Sequence, residues 1–358
     1  MTERPEFVNA AEHLAEADLG NGWVVQEQLP RDPNHTGGRF SIPYTARNVE
    51  TGNLGFLKAL DFRVAVEEED PDLRLAILEG LISAYRHERG LLEKCQGHRM
   101  RRVATPLISG AIRVPAAVPP LDSAYYFIFP LADADLRSQA LDLAMIDVAW
   151  ALRSLHHVAT GIHELHQRGI AHQDIKPSNV LHFEGHGAKV ADLGRGHDPN
   201  SPASHDAERI PGDRRHAPLE LGYASGPPVD TEARKAIDLY CLGSLLFFEF
   251  LGVSATQGIL FRAVRENAPL TRHNFQVDLP YLASAFGGLL EELERVVKSY
   301  APALAPDILS IAKELCHPDP QRRGSPRMRR LGATAKASAM RYVSKLNLVA
   351  SRAELGLL

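Results

Sequence analysis

The spacing of apolar residues divides the chain into a first part with predicted strands and a second part with long predicted helices. Short apolar runs at residues 23–29, 55–60 and 124–131 have the length and composition of β-strands. Residues 142–167 place apolar side chains near every 3.6 positions, which predicts a long helix. Residues 239–253 are apolar but too few to span a bilayer, so we predict a buried helix there.

Weaker patterns predict further elements at both ends of the chain. Residues 9–19 are compatible with a short helix, and Leu81, Tyr85 and Leu92 recur at the spacing of an amphipathic helix. Residues 254–306 carry no recognisable signature, and we expect additional helices there.

The last residues, 331–358, predict an appended helix. Met340, Val343 and Leu346 are the side chains expected to pack against the rest of the protein. A partner-binding tail is the alternative interpretation.

Composition narrows the class of protein. A chain of 358 residues with 44% apolar content suits one two-lobed domain or two ordinary domains. A formal net charge of -4 gives no global indication of nucleic acid or of a membrane surface as partner. The three cysteines lie far apart and form no Cys-x-x-Cys pair, and residues 1–20 do not resemble a signal peptide, which favours a cytoplasmic protein.

The strongest chemical signal is the stretch His-Gln-Asp-Ile-Lys-Pro-Ser-Asn at residues 172–179. Asp174 can accept the proton of an attacking hydroxyl, and Lys176 can neutralise charge on a transferred phosphoryl group. Asn179 can hold a magnesium ion, and Asp192, thirteen residues later and followed by Leu-Gly, offers a second metal ligand. The combination predicts phosphoryl transfer, whereas a surface turn with scattered polar residues is the alternative.

These two motifs resemble the His-Arg-Asp-x-Lys-Pro-x-x-Asn and Asp-Phe-Gly patterns of the eukaryotic-type (Hanks-type) serine/threonine protein kinase family. The resemblance implies an α+β, bilobal protein kinase-like fold, with a small β-rich N-lobe that carries one regulatory helix and a larger α-helical C-lobe. The expected divisions are an N-terminal extension (1–20), the N-lobe (21–129), the C-lobe (130–330) and a C-terminal helical tail (331–358). ATP and Mg2+ are the implied cofactors, and a protein is the implied phosphate acceptor.

The resemblance assigns roles in the first lobe. Lys58, inside an apolar strand, would contact the phosphates of ATP and pair with a glutamate of the following helix. Glu88 is the predicted partner, with Glu79 and Glu93 as competitors on the same helix.

Further positions would hold the nucleotide. Residues 36–47 resemble a degenerate Gly-rich loop, and a glycine-containing hairpin turn is the alternative. By the resemblance, backbone groups of Phe129 and Leu131 would contact adenine, Leu181 would lie beneath the adenine ring, and Asp135 would contact the ribose. The implied nucleotide-binding residues are Gly37, Gly38, Ser41, Lys58, Glu88, Phe129, Leu131, Asp135 and Leu181, and the implied metal ligands are Asn179 and Asp192.

Three further matches lie in the second lobe. Asp238 would brace the backbone of the catalytic loop, and Glu220 would form a buried pair with Arg323. Gln173 replaces the Arg that pairs with a phosphorylated activation loop in regulated kinases, so activity is predicted not to require that phosphorylation.

The predicted function is an ATP-dependent serine/threonine protein kinase that also phosphorylates itself. Phe56 and Pro43 stand where the family has smaller or different residues over adenine, which keeps open a pseudokinase that acts as a nucleotide- or partner-binding scaffold. A small-molecule phosphotransferase with a kinase-like core is a second alternative.

Overall fold

A computed structural model describes residues 8–30, 41–115, 117, 121–142, 146–331 and 338–358. The chain divides into two compact units. The first consists of Met1–Gly97 and Ala104–Asp133, and the second of His98–Val103 and Ala134–Leu358.

The first unit is built on a five-stranded antiparallel sheet with the strand order β1-β2-β3-β5-β4. The strands predicted from the three apolar runs are present, and Leu81, Tyr85 and Leu92 are buried along one long helix as predicted. The elements are β1 (Trp23–Gln28), β2 (Ser41–Asn48), β3 (Leu54–Leu60), α1 (Arg63–Glu67), α2 (Pro71–Gly97), β4 (Ile108–Arg113) and β5 (Ser123–Pro130).

Residues 9–19 contribute several buried side chains to the core of this unit, and the helix predicted for them is wrong. Only a single 3-10 turn forms, at Ala10–Glu12. The chain then turns back, with a positive φ at Glu16, and forms a β-bridge at Asp18. Leu14 is fully buried in the core that also contains strand residues of the sheet. Burial against the sheet therefore outweighs the weak helical preference of this segment.

The second unit is mainly helical and carries a small sheet with the strand order β6-β7-β8. The helix predicted at residues 239–253 and the additional helices predicted for residues 254–306 are present. The elements are β6 (Ala134–Asp135), α3 (Leu136–Asp142), α4 (Val148–His166), β7 (Val180–Phe183), β8 (Gly187–Val190), α5 (Thr231–Leu251), α6 (Ala255–Arg265), α7 (Phe275–Tyr300), α8 (Ala305–Cys316), α9 (Pro326–Leu331) and α10 (Met340–Glu354).

The long helix predicted from residue 142 begins later than expected. Asp142 ends α3, and α4 starts at Val148, where the side chain of Asp147 accepts a hydrogen bond from the Trp150 amide at 3.0 Å. An aspartate in this position satisfies one of the unpaired amides of the first helical turn. The prediction missed this cap because the apolar period continues across the break.

The C-terminal helix α10 packs on α4 and α8. Leu346 is buried and Val343 half-buried, as predicted, but Met340 is 47% exposed, so its predicted packing role is wrong. Tyr342 lies in the core instead. Arg153 of α4 binds the Glu354 carboxylate through Nη2 at 2.6 Å, which adds an ion pair to the apolar contact.

Helix α5 forms the centre of the second unit. Its residues Tyr240, Leu245 and Phe247 are fully buried. Across the described residues, no single helix combines the length and apolar character needed to cross a membrane. The pair α5 and α6, bent by 67°, meets these criteria only when the two are counted together.

Candidate active site

The catalytic loop, residues 172–179, brings Asp174, Lys176 and Asn179 into direct contact within the second unit. Lys176 Nζ donates to Asp174 Oδ2 at 2.7 Å. Asn179 Nδ2 donates to the backbone oxygen of Asp174 at 2.9 Å and to its Oδ2 at 3.2 Å. The short 3-10 turn Pro177–Asn179 folds the loop back, which is how residues five positions apart meet. All three side chains are at least 90% buried.

The backbone of this loop is fixed by Asp238 of α5, as the resemblance implied. Asp238 Oδ2 accepts hydrogen bonds from the His172 amide at 2.8 Å and from the His166 ring at 2.7 Å, and Oδ1 accepts one from the Gln173 amide at 2.6 Å. Gln173 has φ of 64°, a left-handed conformation that costs energy for a residue with a side chain. The buried carboxylate therefore holds a strained backbone directly before Asp174.

Asp192 lies just after β8 and is tied to the same loop. The Ala191 amide donates to the backbone oxygen of Asn179 at 2.9 Å, and the His172 ring contacts the backbone oxygen of Ala191 at 3.0 Å. Asp192 itself has φ of 66°, and its side chain accepts from the Gly194 amide at 3.4 Å. The two predicted metal ligands, Asn179 and Asp192, are thus carried by hydrogen-bonded neighbouring segments.

The donor chemistry of these two residues fits a divalent cation such as Mg2+. Asn179 uses its amide nitrogen to bind Asp174, so its side-chain oxygen is the atom left to face a cation. Carboxylate and amide oxygens are the hard ligands that Mg2+ prefers. In the part of the chain that the structure describes, no group of three or more His, Cys, Asp or Glu side chains forms a separate metal site.

A contact that the sequence did not predict completes the surroundings of Asp174. It comes from residues 212–220, which resemble the end of the activation segment of the family. The Asp213 amide donates to Asp174 Oδ1 at 2.8 Å, and the preceding Gly212 lies against the loop. A Cβ on Gly212 would lie 2.2 Å from the backbone oxygen of Gln173, so only glycine permits this approach. Burial acts to raise the pKa of Asp213, but hydrogen bonds from the Arg215 side chain and amide outweigh it and lower the pKa to about 2.

A second missed residue, Arg234, binds the glutamine of the catalytic loop. Arg234 Nη1 donates to Gln173 Oε1 at 2.6 Å, and Nη2 donates to the backbone oxygen of Asp206 at 2.7 Å. Gln173 Nε2 in turn donates to the Arg195 oxygen at 2.9 Å. Arg234 precedes Asp238 by one helical turn, and this spacing was the available signal, because residues four apart share a helix face.

Residues 195–208 are therefore linked to the catalytic loop through Gln173 and Arg234. The Asp206 side chain also contacts the His197 ring at 2.8 Å. Burial acts to raise the pKa of Asp206, but hydrogen bonds from Ala203 and His197 lower it overall, so this carboxylate is ionised near neutral pH.

Two of the predicted nucleotide-binding residues meet through β-pairing. Asp135 of β6 and Leu181 of β7 are directly opposite each other in the small sheet. Asp135 Oδ1 accepts hydrogen bonds from the Ser138 amide at 2.7 Å and hydroxyl at 2.9 Å, which caps the start of α3. The contact with ribose stays a prediction.

In the first unit, the predicted pair of Lys58 and Glu88 is confirmed. Lys58 Nζ lies 2.8 Å from Glu88 Oε1 and 3.1 Å from Oε2. Glu88 is 7% exposed, whereas the competitors Glu79 and Glu93 are exposed on α2. The pair satisfies a lysine that an apolar strand would otherwise bury at high cost.

The other predicted nucleotide-binding residues of this region lie in or next to the strands, except for two that the structure does not describe. Gly37 and Gly38 lie outside the described residues. Ser41 is the first residue of β2, Phe129 is opposite Phe56 in the β5–β3 pairing, and Leu131 follows β5. The roles of these residues toward adenine and phosphate stay predictions.

The ion pair predicted between Glu220 and Arg323 is present, although both residues are half-buried and not fully buried as predicted. Arg323 Nη1 and Nη2 contact the two carboxylate oxygens of Glu220 at 2.6 and 2.7 Å, which is a bidentate arrangement. Arg323 Nε also donates to the His317 oxygen at 2.8 Å, and the guanidinium lies over the Tyr240 ring at 4.6 Å. This cluster connects the segment that follows the Asp213 turn to α5 and to the loop after α8.

Comparison with known proteins agrees with this geometry. The protein kinase domain model matches residues 37–332. A probable serine/threonine-protein kinase of Arabidopsis thaliana is 26% identical over 180 residues, which cover 49% of this chain and 22% of that protein. Cyclin-dependent kinase-like 2 of Pongo abelii is 23% identical over 302 residues, which cover 80% of this chain and 53% of that protein.

The chain spans about half or less of the length of these two relatives. The family model nevertheless covers most of the chain, and it includes the catalytic loop, the Lys58–Glu88 pair and the Glu220–Arg323 pair. The chain belongs to the protein kinase family.

Proposed function

We propose that this chain is an ATP-dependent serine/threonine protein kinase, which also phosphorylates itself. The observation that carries the proposal is the Asp174 carboxylate, held by Lys176, Asn179 and the Asp213 amide. A general base must be fixed within hydrogen-bond reach of the hydroxyl it serves. The spacing of Lys176 two residues after Asp174 also resembles the serine/threonine branch of the family.

Each residue has a role in the proposed reaction. ATP with Mg2+, when bound, supplies the γ-phosphoryl group and compensates its charge. Asp174 accepts the proton of the Ser or Thr hydroxyl, and Lys176 offsets the negative charge that develops beside it. Asn179 and Asp192 provide oxygen ligands for the cation, and Glu88 holds Lys58 in the orientation for a phosphate.

A pseudokinase is the second candidate, because one observation favours it. Phe56, where the family has a small residue, lies in β3 opposite another aromatic residue, Phe129. A bulky ring at this position narrows the space for adenine. The Glu220–Arg323 pair argues against the small-molecule phosphotransferase, since such enzymes usually lack this peptide-docking element.

Thermal unfolding with ATP and Mg2+ tests nucleotide use. A ligand at 100 times its Kd stabilises the folded state by about 2.7 kcal/mol. For one cooperative unit of this size, the corresponding rise in Tm is about 4 °C. We expect this rise for the wild-type chain and its loss in Asp192→Asn. No rise at millimolar ATP would contradict the proposal and favour a scaffold that binds no nucleotide.

We further propose that activity does not need a phosphate on residues 195–208. Arg234 and Gln173 already connect this segment to the catalytic loop, and they use no phosphate. After complete phosphatase treatment, the rate is expected to fall less than about twofold, whereas Arg234→Gln should lower it about tenfold or more. Exposed Ser201 and Ser204 are the candidate phosphorylation sites.

The control is the double variant Ser201→Ala/Ser204→Ala, which should match the phosphatase-treated wild type. A rate that collapses on dephosphorylation and returns when either serine is phosphorylated would show that the segment is regulated in the usual way.

A further inference from the structure

The second unit contains a cleft that the proposed function does not use. It has a volume of ≈ 440 Å³ and lies between α7, the end of α8 and the residues that follow α8. One wall is apolar and includes Phe286 and Leu290 of α7, and the other carries Lys313, His317, Arg322 and Arg329. None of the lining residues belongs to the catalytic loop.

The cleft is electropositive. Its acidic lining residue, Glu314, accepts hydrogen bonds from Arg341 and from Lys345 of α10, each at 2.9 Å. Two cations outside the cleft therefore compensate this carboxylate. Glu294, which lies within electrostatic range of Lys313, is paired with Lys298 at 2.7 Å. The positive charges of Lys313, Arg322 and Arg329 consequently dominate the wall.

Two of the polar groups are held in defined positions. Arg329 Nη1 donates to the backbone oxygens of Arg322 at 2.9 Å and Gly324 at 2.6 Å, which fixes its guanidinium. His317 Nδ1 accepts the Asp319 amide at 3.0 Å, so in the neutral ring Nε2 carries the proton and can donate. Burial, followed by the charge of Arg322, lowers the pKa of His317, which keeps the ring neutral near pH 7.

The other two cations are available for a ligand. Lys313 and Arg322 have exposed side chains with no hydrogen-bond or ion-pair partner among the residues described. Neither side chain is therefore needed to hold the surrounding structure together. They differ in this respect from Arg323, the neighbour that binds Glu220.

The apolar wall restricts what the cleft can accept. Phe286 is 3% exposed and its ring lies 5.8 Å from that of His317, edge to face. A nucleic acid backbone offers no aliphatic or aromatic side chain to such a surface, but a peptide does. Three cations and one neutral donor match a dianionic group with three acceptor oxygens better than a single carboxylate.

We propose that this cleft docks a phosphorylated segment of a protein partner, with the phosphate at Lys313, Arg322 and Arg329 and a neighbouring apolar side chain against the α7 wall at Ala283 and Gly287. The proposal depends on the second unit alone. It holds whether or not the chain transfers phosphate.

The test uses the full chain and a set of fluorescent decapeptides with a central phosphoserine flanked by Leu, Ile or Phe. Matched sets carry Ser or Glu in place of phosphoserine. The variant Lys313→Gln/Arg322→Gln removes two charges from the cleft. The control Arg265→Gln/Arg295→Gln removes the same charge from exposed arginines of α6 and α7 that do not line it.

We expect the phosphorylated set to bind more tightly than both matched sets. The cleft variant should weaken this binding by about tenfold or more, with an unchanged Tm, and the control should leave it unchanged. Equal binding of the three sets, no binding of the phosphorylated set, or an equal loss in the control would overturn the proposal. A loss confined to Arg214→Gln/Arg215→Gln, next to the catalytic loop, would also overturn it, since it would place the phosphate there.

Discussion

Replacing Asp174 with Asn is expected to lower the rate of phosphoryl transfer by about 10²–10⁴-fold. Asparagine has nearly the same shape but accepts no proton from the acceptor hydroxyl. Its amide nitrogen would also face either the Asp213 amide or the Lys176 ammonium, both of which are donors toward Asp174. The measurement is the initial rate of label transfer from γ-labelled ATP to a generic Ser/Thr protein substrate.

Loss of stability must be separated from loss of chemistry in this variant. A mismatched buried donor costs about 1–3 kcal/mol, so the thermal unfolding curve of Asp174→Asn is expected to shift moderately. Asp230→Asn is the matched control, because Asp230 caps α5 and asparagine caps helices equally well. If Asp174→Asn stays within about tenfold of wild type, Asp174 is not the general base.

The second large effect is expected at Asp238, where Asn should destabilise the chain by about 1–3 kcal/mol for each buried donor that it leaves without an acceptor. The carboxylate is fully buried and accepts hydrogen bonds from the amides of His172 and Gln173 and from His166. An asparagine can present only one oxygen to these donors. The left-handed backbone at Gln173 then loses the contact that holds it, so transfer activity should fall as well.

Asp278 supplies a matched control for this prediction. It is likewise buried, and it accepts hydrogen bonds from the Thr271 and Arg272 amides and from the Tyr223 hydroxyl, none of which lies in the catalytic loop. Asp278→Asn should lower Tm but leave kcat unchanged at temperatures below the unfolding transition. Equal losses of kcat in both variants would mean that Asp238 acts only through general stability.

The sequence predicted features that depend on a short motif, on one unusual residue or on a local run of apolar side chains. The catalytic loop is a contiguous motif. Lys58 in an apolar strand needs a partner because burying an unpaired ammonium is costly, and the resemblance to the kinase family favoured Glu88 over Glu79 and Glu93. Three strands of the first unit, β1, β3 and β5, followed from short apolar runs of strand length, whereas β2 and β4 were not predicted as strands.

The failures have physical causes of a different kind. Residues 9–19 have helical preference, but burial of Leu14 in the first unit's core decides their conformation. The break before α4 depends on one capping side chain, Asp147, inside an uninterrupted apolar period. Gly212 acts through a contact with a residue distant in sequence, which no local pattern reports. For Arg234, the spacing from Asp238 indicates a shared helix face but does not identify the distant partner Gln173.

The central claim is that this chain transfers the γ-phosphoryl group of ATP to Ser or Thr hydroxyls. Its most direct test is incubation of the wild-type chain with γ-labelled ATP, Mg2+ and a generic protein substrate, followed by analysis of the labelled amino acids. We expect label in phosphoserine or phosphothreonine, in the substrate and in the chain itself, and none with Asp174→Asn. Wild-type protein that is folded and binds ATP but leaves both proteins unlabelled would contradict it.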